Sequence, residues 1–364
     1  MAADRLSPGL LRRLLDVEEH RSDRALLRAA RDSSVTLPHL VLSLLEREGT
    51  TLGSGSSDEL RRARQRAARY RDILTRAREL ADVRVLKGPS LAARYPAGVL
   101  RPVGDLDLVV ADEAGLWRVA HAVLDAYPVE HLDLTLLRDD VRQHVMVGLS
   151  WPADDPLLDR DVKVELSTTA LPGNGRDVPA RRRLPDDPWL ADLLTLAEEG
   201  LQRRFTPKDV VDVLVLIDAA HPVPDDAAIV AVARDNHLAP ELAQLLARCS
   251  PVLPADRRDG LDAALACAVA EERARRAAQP DPADPSAVAA TPEERLRAGQ
   301  PVYGMVLRRA TRPELTLSRL HTPEPDLTLL RTPVADALMV TGQLVDSHLY
   351  DRAQRALATL DGAR

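Results

Sequence analysis

Val85-Leu-Lys-Gly-Pro-Ser-Leu-Ala-Ala-Arg-Tyr-Pro-Ala-Gly-Val-Leu-Arg-Pro-Val-Gly-Asp-Leu-Asp-Leu-Val-Val110 is the stretch from which the rest of the chain is read. It closes on Asp105-Leu106-Asp107 and an apolar run, Leu108-Val109-Val110. In a strand, residues two apart share a face. Asp105 and Asp107 are therefore expected to project together, with Leu106, Leu108 and Val110 on the opposite side. Two such carboxylates repel and raise each other's pKa unless a cation lies between them. Hard oxygen ligands in that arrangement suit magnesium. At the other end, Lys87-Gly88 stands at a strand-to-helix turn. There the first N–H groups of a helix favour an anion, and a glycine lets phosphate approach the backbone.

The 364 residues are too many for one small core, so two domains are expected. Apolar content is almost all Ala, Leu and Val, with one Phe (Phe205) and three Trp, which predicts an aliphatic, helix-rich core. The formal charge of −7 argues against an extended nucleic-acid surface but leaves room for a small anion bound by a few local cations. Cys249 and Cys267 lie in Ala/Leu-rich helical context and read as small core residues, with no sign of zinc or a disulfide framework. The N-terminus lacks an apolar signal core and no stretch approaches ~18 apolar residues, so a soluble cytoplasmic protein without membrane partners is expected. Of the 49 basic residues only Lys87, Lys163 and Lys208 are lysines, and all three fall beside chemical signals. Lysine supplies a compact point charge where arginine supplies a planar fork.

Taken in order, residues 5–48 read as two or three short helices and 49–57 as a flexible connector. Ser57 is expected to cap a helix over 59–81 that carries eight arginines; a solvated face suffices for them, a positive wall beside an anion site being the alternative. A strand at 83–86, a small helix at 91–95, the Asp105–Asp107 strand, a helix at 113–126 and strands at 129–137, 141–151 and 161–168 follow, an α/β unit with a mixed sheet. Helices are then predicted from Pro188 to about Arg204, from Thr206 at an N-cap with Pro207 at N1, and over 225–248 and 257–278. The expected division is an N-terminal helical region (1–56), an α+β catalytic core (57–180), a helical domain (181–278), a Pro-rich linker (279–293) and a C-terminal region (294–364). In the last, 300–332 suggest short strands and 333–361 a helix.

A metal-carboxylate site needs a third acid. In Asp161-Val-Lys-Val-Glu-Leu166, Lys163 and Glu165 share a strand face opposite Val162, Val164 and Leu166. Glu165 is the preferred third ligand. Asp133, in His131-Leu-Asp-Leu134, is the rival, and either could be a charge on a solvated face. Arg138 and His144 have the spacing of a helical nuclease motif, but they fall in a turn-to-strand context that such a motif does not tolerate.

Leu86-Lys87-Gly88-Pro89-Ser90-Leu91-Ala92, Tyr95-Pro96, Arg101 and Gly104-Asp105-Leu106-Asp107-Leu108-Val109-Val110 together resemble the nucleotidyltransferase superfamily of DNA polymerase β. The closest likeness is to a bacterial branch known only as uncharacterised nucleotidyltransferases. The resemblance implies a polymerase β-like core followed by a helical domain, to which Arg204-Phe205, Lys208-Asp209 and Asp212 correspond. It implies that Asp105, Asp107 and Glu165 bind two magnesium ions, with manganese as a substitute, and that Glu165 helps deprotonate the acceptor. Gly88 and Ser90 would line the triphosphate, with Lys87, Arg101, Lys163 and Lys208 on the nucleotide. The reaction implied is in-line attack of a small-molecule, peptide or protein acceptor on the α-phosphorus of a nucleoside triphosphate, releasing pyrophosphate. Pro89 removes one amide from the turn, and Glu stands where Asp is commoner. These departures support an alternative, a nucleotide-binding or regulatory protein of the same fold with weakened turnover.

Overall fold

The computed structural model describes residues 6–139, 141–219, 224–253, 255–279, 291–342 and 344–362. Most of the expected linker, 280–290, lies outside them. The chain runs α1 (Pro8–Leu14), α2 (Asp23–Ser33), α3 (Leu37–Arg47), α4 (Ser54–Leu80), β1 (Val83–Leu86), α5 (Gly88–Ala92), β2 (Leu106–Val110), α6 (Glu113–Ala126), β3 (His131–Arg138), β4 (Gln143–Trp151) and β5 (Val162–Ser167). Then come α7 (Pro188–Glu198), a 3-10 turn (Glu199–Leu201), α8 (Pro207–Ala219), α9 (Asp226–Asp235), α10 (Ala239–Cys249) and α11 (Ala255–Ala277). The C-terminal part holds α12 (Pro292–Arg297), β6 (Val302–Arg309), β7 (Arg319–Glu324), β8 (Leu327–Arg331), β9 (Ala335–Val340) and α13 (Ser347–Gly362). Helices and one nine-stranded sheet make this an α+β protein, with strand order β1-β2-β5-β4-β3-β6-β9-β8-β7. Among the described residues no helix is long and apolar enough to cross a membrane.

Two compact units divide the chain. The first comprises Met1–Asp72, Val85–Leu106 and Leu184–Gln279 and is helical. Its α3 buries Leu37, Leu40, Val41, Leu44 and Leu45, the apolar stripe expected from the sequence, and Ser43 within it accepts a hydrogen bond from the Leu100 N–H at 3.0 Å. Tyr70 of α4 donates to the Gly104 carbonyl at 2.9 Å, fixing the segment that leads into Asp105. Several arginines of α4 are neutralised locally, as in the Arg61–Asp58 and Arg64–Glu46 pairs, which supports the solvated-face reading of that stretch.

The second unit comprises Ile73–Arg84, Asp107–Arg183 and Pro280–Arg364. Alternation along its strands decides which face is covered. Leu108, Val162, Val164 and Leu166 are buried, whereas Asp107, Lys163 and Glu165 are only half-buried. α6 packs against β4 and β5 and buries Leu116, Val119, Ala120 and Val123. Gly115 allows the close approach: a Cβ there would come within 2.9 Å of Ala81 and 3.1 Å of Val110. β3 and β4 are antiparallel, as are β4 and β5, which agrees with the expected hairpins. The C-terminal strands extend the same sheet, β6 pairing antiparallel with β3, while α13 packs Ala353 and Leu357 onto Leu327, Leu329 and Leu338.

Several expected boundaries move. Helix α4 begins at Ser54, so Ser57 lies in its first turn and its hydroxyl donates to the Leu52 carbonyl instead of capping. α5 begins at Gly88, three residues earlier than expected, because Pro89 fits the first turn, where its missing N–H has no helical partner to lose. The 225–248 helix is two helices, broken where His237 adopts φ 59°. The expected helix over 333–361 is a strand in its first part. Ala335–Val340 has helix-compatible composition, but pairing with both β6 and β8 overrides propensity.

Arg138 and His144 flank the β3–β4 hairpin, not a helix. His144 is fully buried, its Nε2 2.8 Å from Asp139 Oδ2 and its Nδ1 3.1 Å from the Thr168 carbonyl. Burial pushes the Asp139 carboxyl up, but the hydrogen bonds from His144 and from the Arg142 and Val141 N–H groups outweigh it and hold the pKa at about 2. A carboxyl whose folded pKa lies below its unfolded value of ~3.9 contributes stability that is complete above that value and is lost as the pH falls through the folded one. Asp139→Asn is therefore expected to lower Tm at neutral pH, with an effect that shrinks below the unfolded value of ~3.9 and disappears only once the pH is below about 2. Melting curves of the two proteins across that range check it; an Asn effect independent of pH would refute the assignment.

Candidate active site

Asp105 sits in the first unit, one residue before β2, and is exposed; Asp107 is the second residue of β2 and belongs to the second unit. In the second unit β5 is the neighbour of β2, so Glu165 occupies the strand beside that of Asp107. Asp133 lies opposite Gly148, which in turn lies opposite Glu165, so all three positions share one face. β3 is nevertheless three strand positions from β2, about 14 Å at ~4.8 Å per strand, beyond reach of an ion held by Asp107. Glu165 is itself engaged: Lys163, on the same face of β5, forms an ion pair with it. Among the described residues no three His, Cys, Asp or Glu side chains are gathered so as to hold a metal ion. By donor chemistry alone, Asp107 and Glu165, half-buried carboxylates on adjacent strands, are of the hard-oxygen type that suits a divalent cation.

In the first unit, the turn after β1 is built from a strained backbone and a set of acids from the helical segments. Lys87 has φ 52° and ψ −102°, a conformation that costs a non-glycine residue about 1–3 kcal/mol. Its carbonyl accepts the first α5 bond, from Leu91, and its ammonium pairs with Glu199 of the 3-10 turn. Ser90 has one hydroxyl proton and two acceptors, Asp192 Oδ1 at 2.6 Å and the Lys87 carbonyl at 2.7 Å. Arg94 donates to the other oxygen of Asp192 at 3.1 Å. Burial raises the Asp192 pKa in spite of these two partners. For Glu199, burial is outweighed by Lys87 and Arg203, and its pKa falls.

The deepest contact is that of Arg101 with Asp212 of α8. Arg101 donates from Nε to Oδ1 and from Nη2 to Oδ2, both at 2.8 Å, and Tyr95 donates to Oδ1 at 2.7 Å. Burial and Asp212 together push the Tyr95 phenol well above its ordinary value. Arg101 is thus committed to an internal carboxylate. The Arg203 guanidinium clamps Asp209 in two bonds of 2.7 and 2.9 Å, and Asp209 Oδ2 accepts from the Thr206 N–H and hydroxyl at the start of α8. Lys208, directly before Asp209 in the first turn of α8, makes no ion pair among the described residues. Burial and the charge of Arg101 lower its pKa, against the opposing pull of Asp212, Asp209 and Asp105.

Of the residues expected at the nucleotide, then, Lys87, Ser90, Arg101 and Lys208 belong to one connected part of the first unit. Lys163 and Glu165 are partners in the second, and Gly88 is buried as the first residue of α5. Sequence reading missed Asp192 and Glu199, which carry Ser90 and Lys87. Asp192 leaves a trace in the sequence, an acid inside the apolar run Leu190–Leu196; Glu199 leaves none, being one of two acids in a helix end.

The chain is thus an α+β protein with a spaced acid pair at the head of a sheet strand and a strand–Lys-Gly-Pro-Ser turn wired to a following helical segment. The family model described as "Uncharacterised nucleotidyltransferase" matches residues 24–254, and the chain belongs to that family. No curated protein and no solved structure gives a significant match. The family supports transfer of a nucleotidyl group, with a nucleoside triphosphate as donor. β6–β9 and α13 lie beyond the matched residues.

Proposed function

We propose that this protein transfers a nucleoside monophosphate from a nucleoside triphosphate to a small-molecule, peptide or protein acceptor, with release of pyrophosphate, on a polymerase β-like core. The observation that carries the reading is the family match over residues whose Asp107 and Glu165 lie on adjacent strands with their apolar neighbours buried. Asp105, Asp107 and Glu165 would hold divalent cations of the magnesium type, which when bound neutralise the triphosphate and stabilise charge on the reacting oxygens. Glu165, once turned from Lys163, would take the proton of an acceptor hydroxyl, and Lys163 would then be free for phosphate. Lys208, which makes no ion pair among the described residues, would meet the triphosphate. Arg101 positions instead: bound to Asp212, it holds Tyr95 and the segment before Asp105 against α8.

The full chain with magnesium and nucleoside triphosphates labelled at either the α- or the γ-phosphorus, mixed with cell fractions as acceptor, tests the reaction. Transfer of the α label alone is expected. Transfer of the γ label would make the protein a kinase, and nucleotide binding without transfer would favour the regulatory reading to which Pro89 in the turn points. Lys208→Gln removes one charge-assisted phosphate contact worth about 1.5–3 kcal/mol, so triphosphate binding should weaken about 10- to 100-fold with Tm nearly unchanged. Equilibrium binding of labelled ATP checks this, and unaltered affinity would remove Lys208 from the site.

A further inference from the structure

Beside the turn that carries Glu199, the first unit holds a solvent-open recess of about 650 Å³, whose polar and aromatic lining comes from Gln202, Arg203, Arg204, Phe205, Gln244 and Arg248. Among the described residues no carboxylate lines it. Arg203 is spoken for, since it pairs with Glu199 at 2.8 Å and with Asp209. Arg204 and Arg248 are different: both are exposed, and neither guanidinium donates a hydrogen bond or forms an ion pair among the described residues. The two come from separate elements, the loop before α8 and the last turn of α10, so helical periodicity does not explain their convergence. Phe205, the single phenylalanine of the chain, is set by a close approach: a Cβ on Gly200 would lie 2.6 Å from its ring.

Two unpaired planar forks, two amides and an aromatic surface make a receptor for an oxyanion carried on a small organic group. Phosphate suits guanidinium by matching its paired donors. We propose that this recess receives a phosphate group of the acceptor, so that the enzyme modifies a phosphate-bearing small molecule. This rests on the transferase reading for the word acceptor, but the anion site itself does not. Its place in the chain agrees with that role. Glu199 joins Lys87 of the nucleotide turn to Arg203 of the recess wall, so one ion-pair relay separates the two.

Arginine modification by phenylglyoxal, read residue by residue by mass spectrometry on the full chain, tests the site directly. Inorganic phosphate is expected to slow modification of Arg204 and Arg248 by about tenfold or more relative to chloride at equal ionic strength, while exposed α4 arginines such as Arg61 react at unchanged rates. The Asp105→Asn/Asp107→Asn protein should show the same protection while losing α-label transfer; that combination separates the recess from the catalytic assignment. Equal rates at Arg204 and Arg248 with and without phosphate would overturn the proposal, as would equal protection of Arg61. In a second measurement, Arg204→Gln/Arg248→Gln should lower phosphate affinity by titration calorimetry at least tenfold. Both side chains are exposed, so folding is not at issue, and an unchanged affinity would also overturn the site.

Discussion

Replacing Asp105 and Asp107 together by Asn is expected to lower α-label transfer by at least about 10³-fold while leaving the fold intact. Each substitution keeps the side-chain volume and removes a charge from a position that is exposed or half-buried, and changes of that kind usually stay within about 0.5 kcal/mol in stability. Loss of one electrostatic contact at a reacting centre typically costs about 10²–10³ in rate, and both acids act on the same phosphates. Asp133→Asn is the internal control. It lies on the same sheet face but three strands from β2, so its effect on rate should stay within about threefold. If the double variant keeps more than a tenth of the activity, or if Asp133→Asn equals it, the carboxylate assignment fails.

The largest effect on stability belongs to Asp212→Ala. The Arg101 and Asp212 side chains are 2% and 1% exposed, and removing the acid leaves a guanidinium buried without its two 2.8 Å bonds. Breaking one half of such a pair costs about 3–5 kcal/mol. Replacing both members by apolar residues of similar size is often close to neutral, so Arg101→Met/Asp212→Leu should recover most of the loss. Urea unfolding of the three proteins checks both statements, with the Tyr95 hydroxyl, deprived of its acceptor in either variant, accounting for a residue of about 1–3 kcal/mol. Equal stabilities for wild type and Asp212→Ala would mean that the pair is dispensable. The double variant also separates stability from positioning. If it refolds to full stability but transfers slowly, Arg101 contributes through the alignment of the segment before Asp105.

How much was visible beforehand depends on the range of the forces involved. The strand containing Asp107, the alternation that puts Lys163 and Glu165 opposite Val162, Val164 and Leu166, and the capped start of α8 all follow from side-chain period and local hydrogen bonding. The sequence by itself therefore determined the α+β class, the candidate carboxylates and membership in a nucleotidyltransferase family. The tertiary structure alone decided who partners whom. Ser90 with Asp192, Lys87 with Glu199 and Arg101 with Asp212 join residues 102 to 112 positions apart, and no periodicity encodes such a distance. It also decided that Ala335–Val340 is a strand, because the unpaired edges of β6 and β8 offered more than helix propensity could. The choice between Glu165 and Asp133 falls to tertiary structure for the same reason. Their local patterns are alike, and only strand order sets one beside Asp107 and the other three strands away.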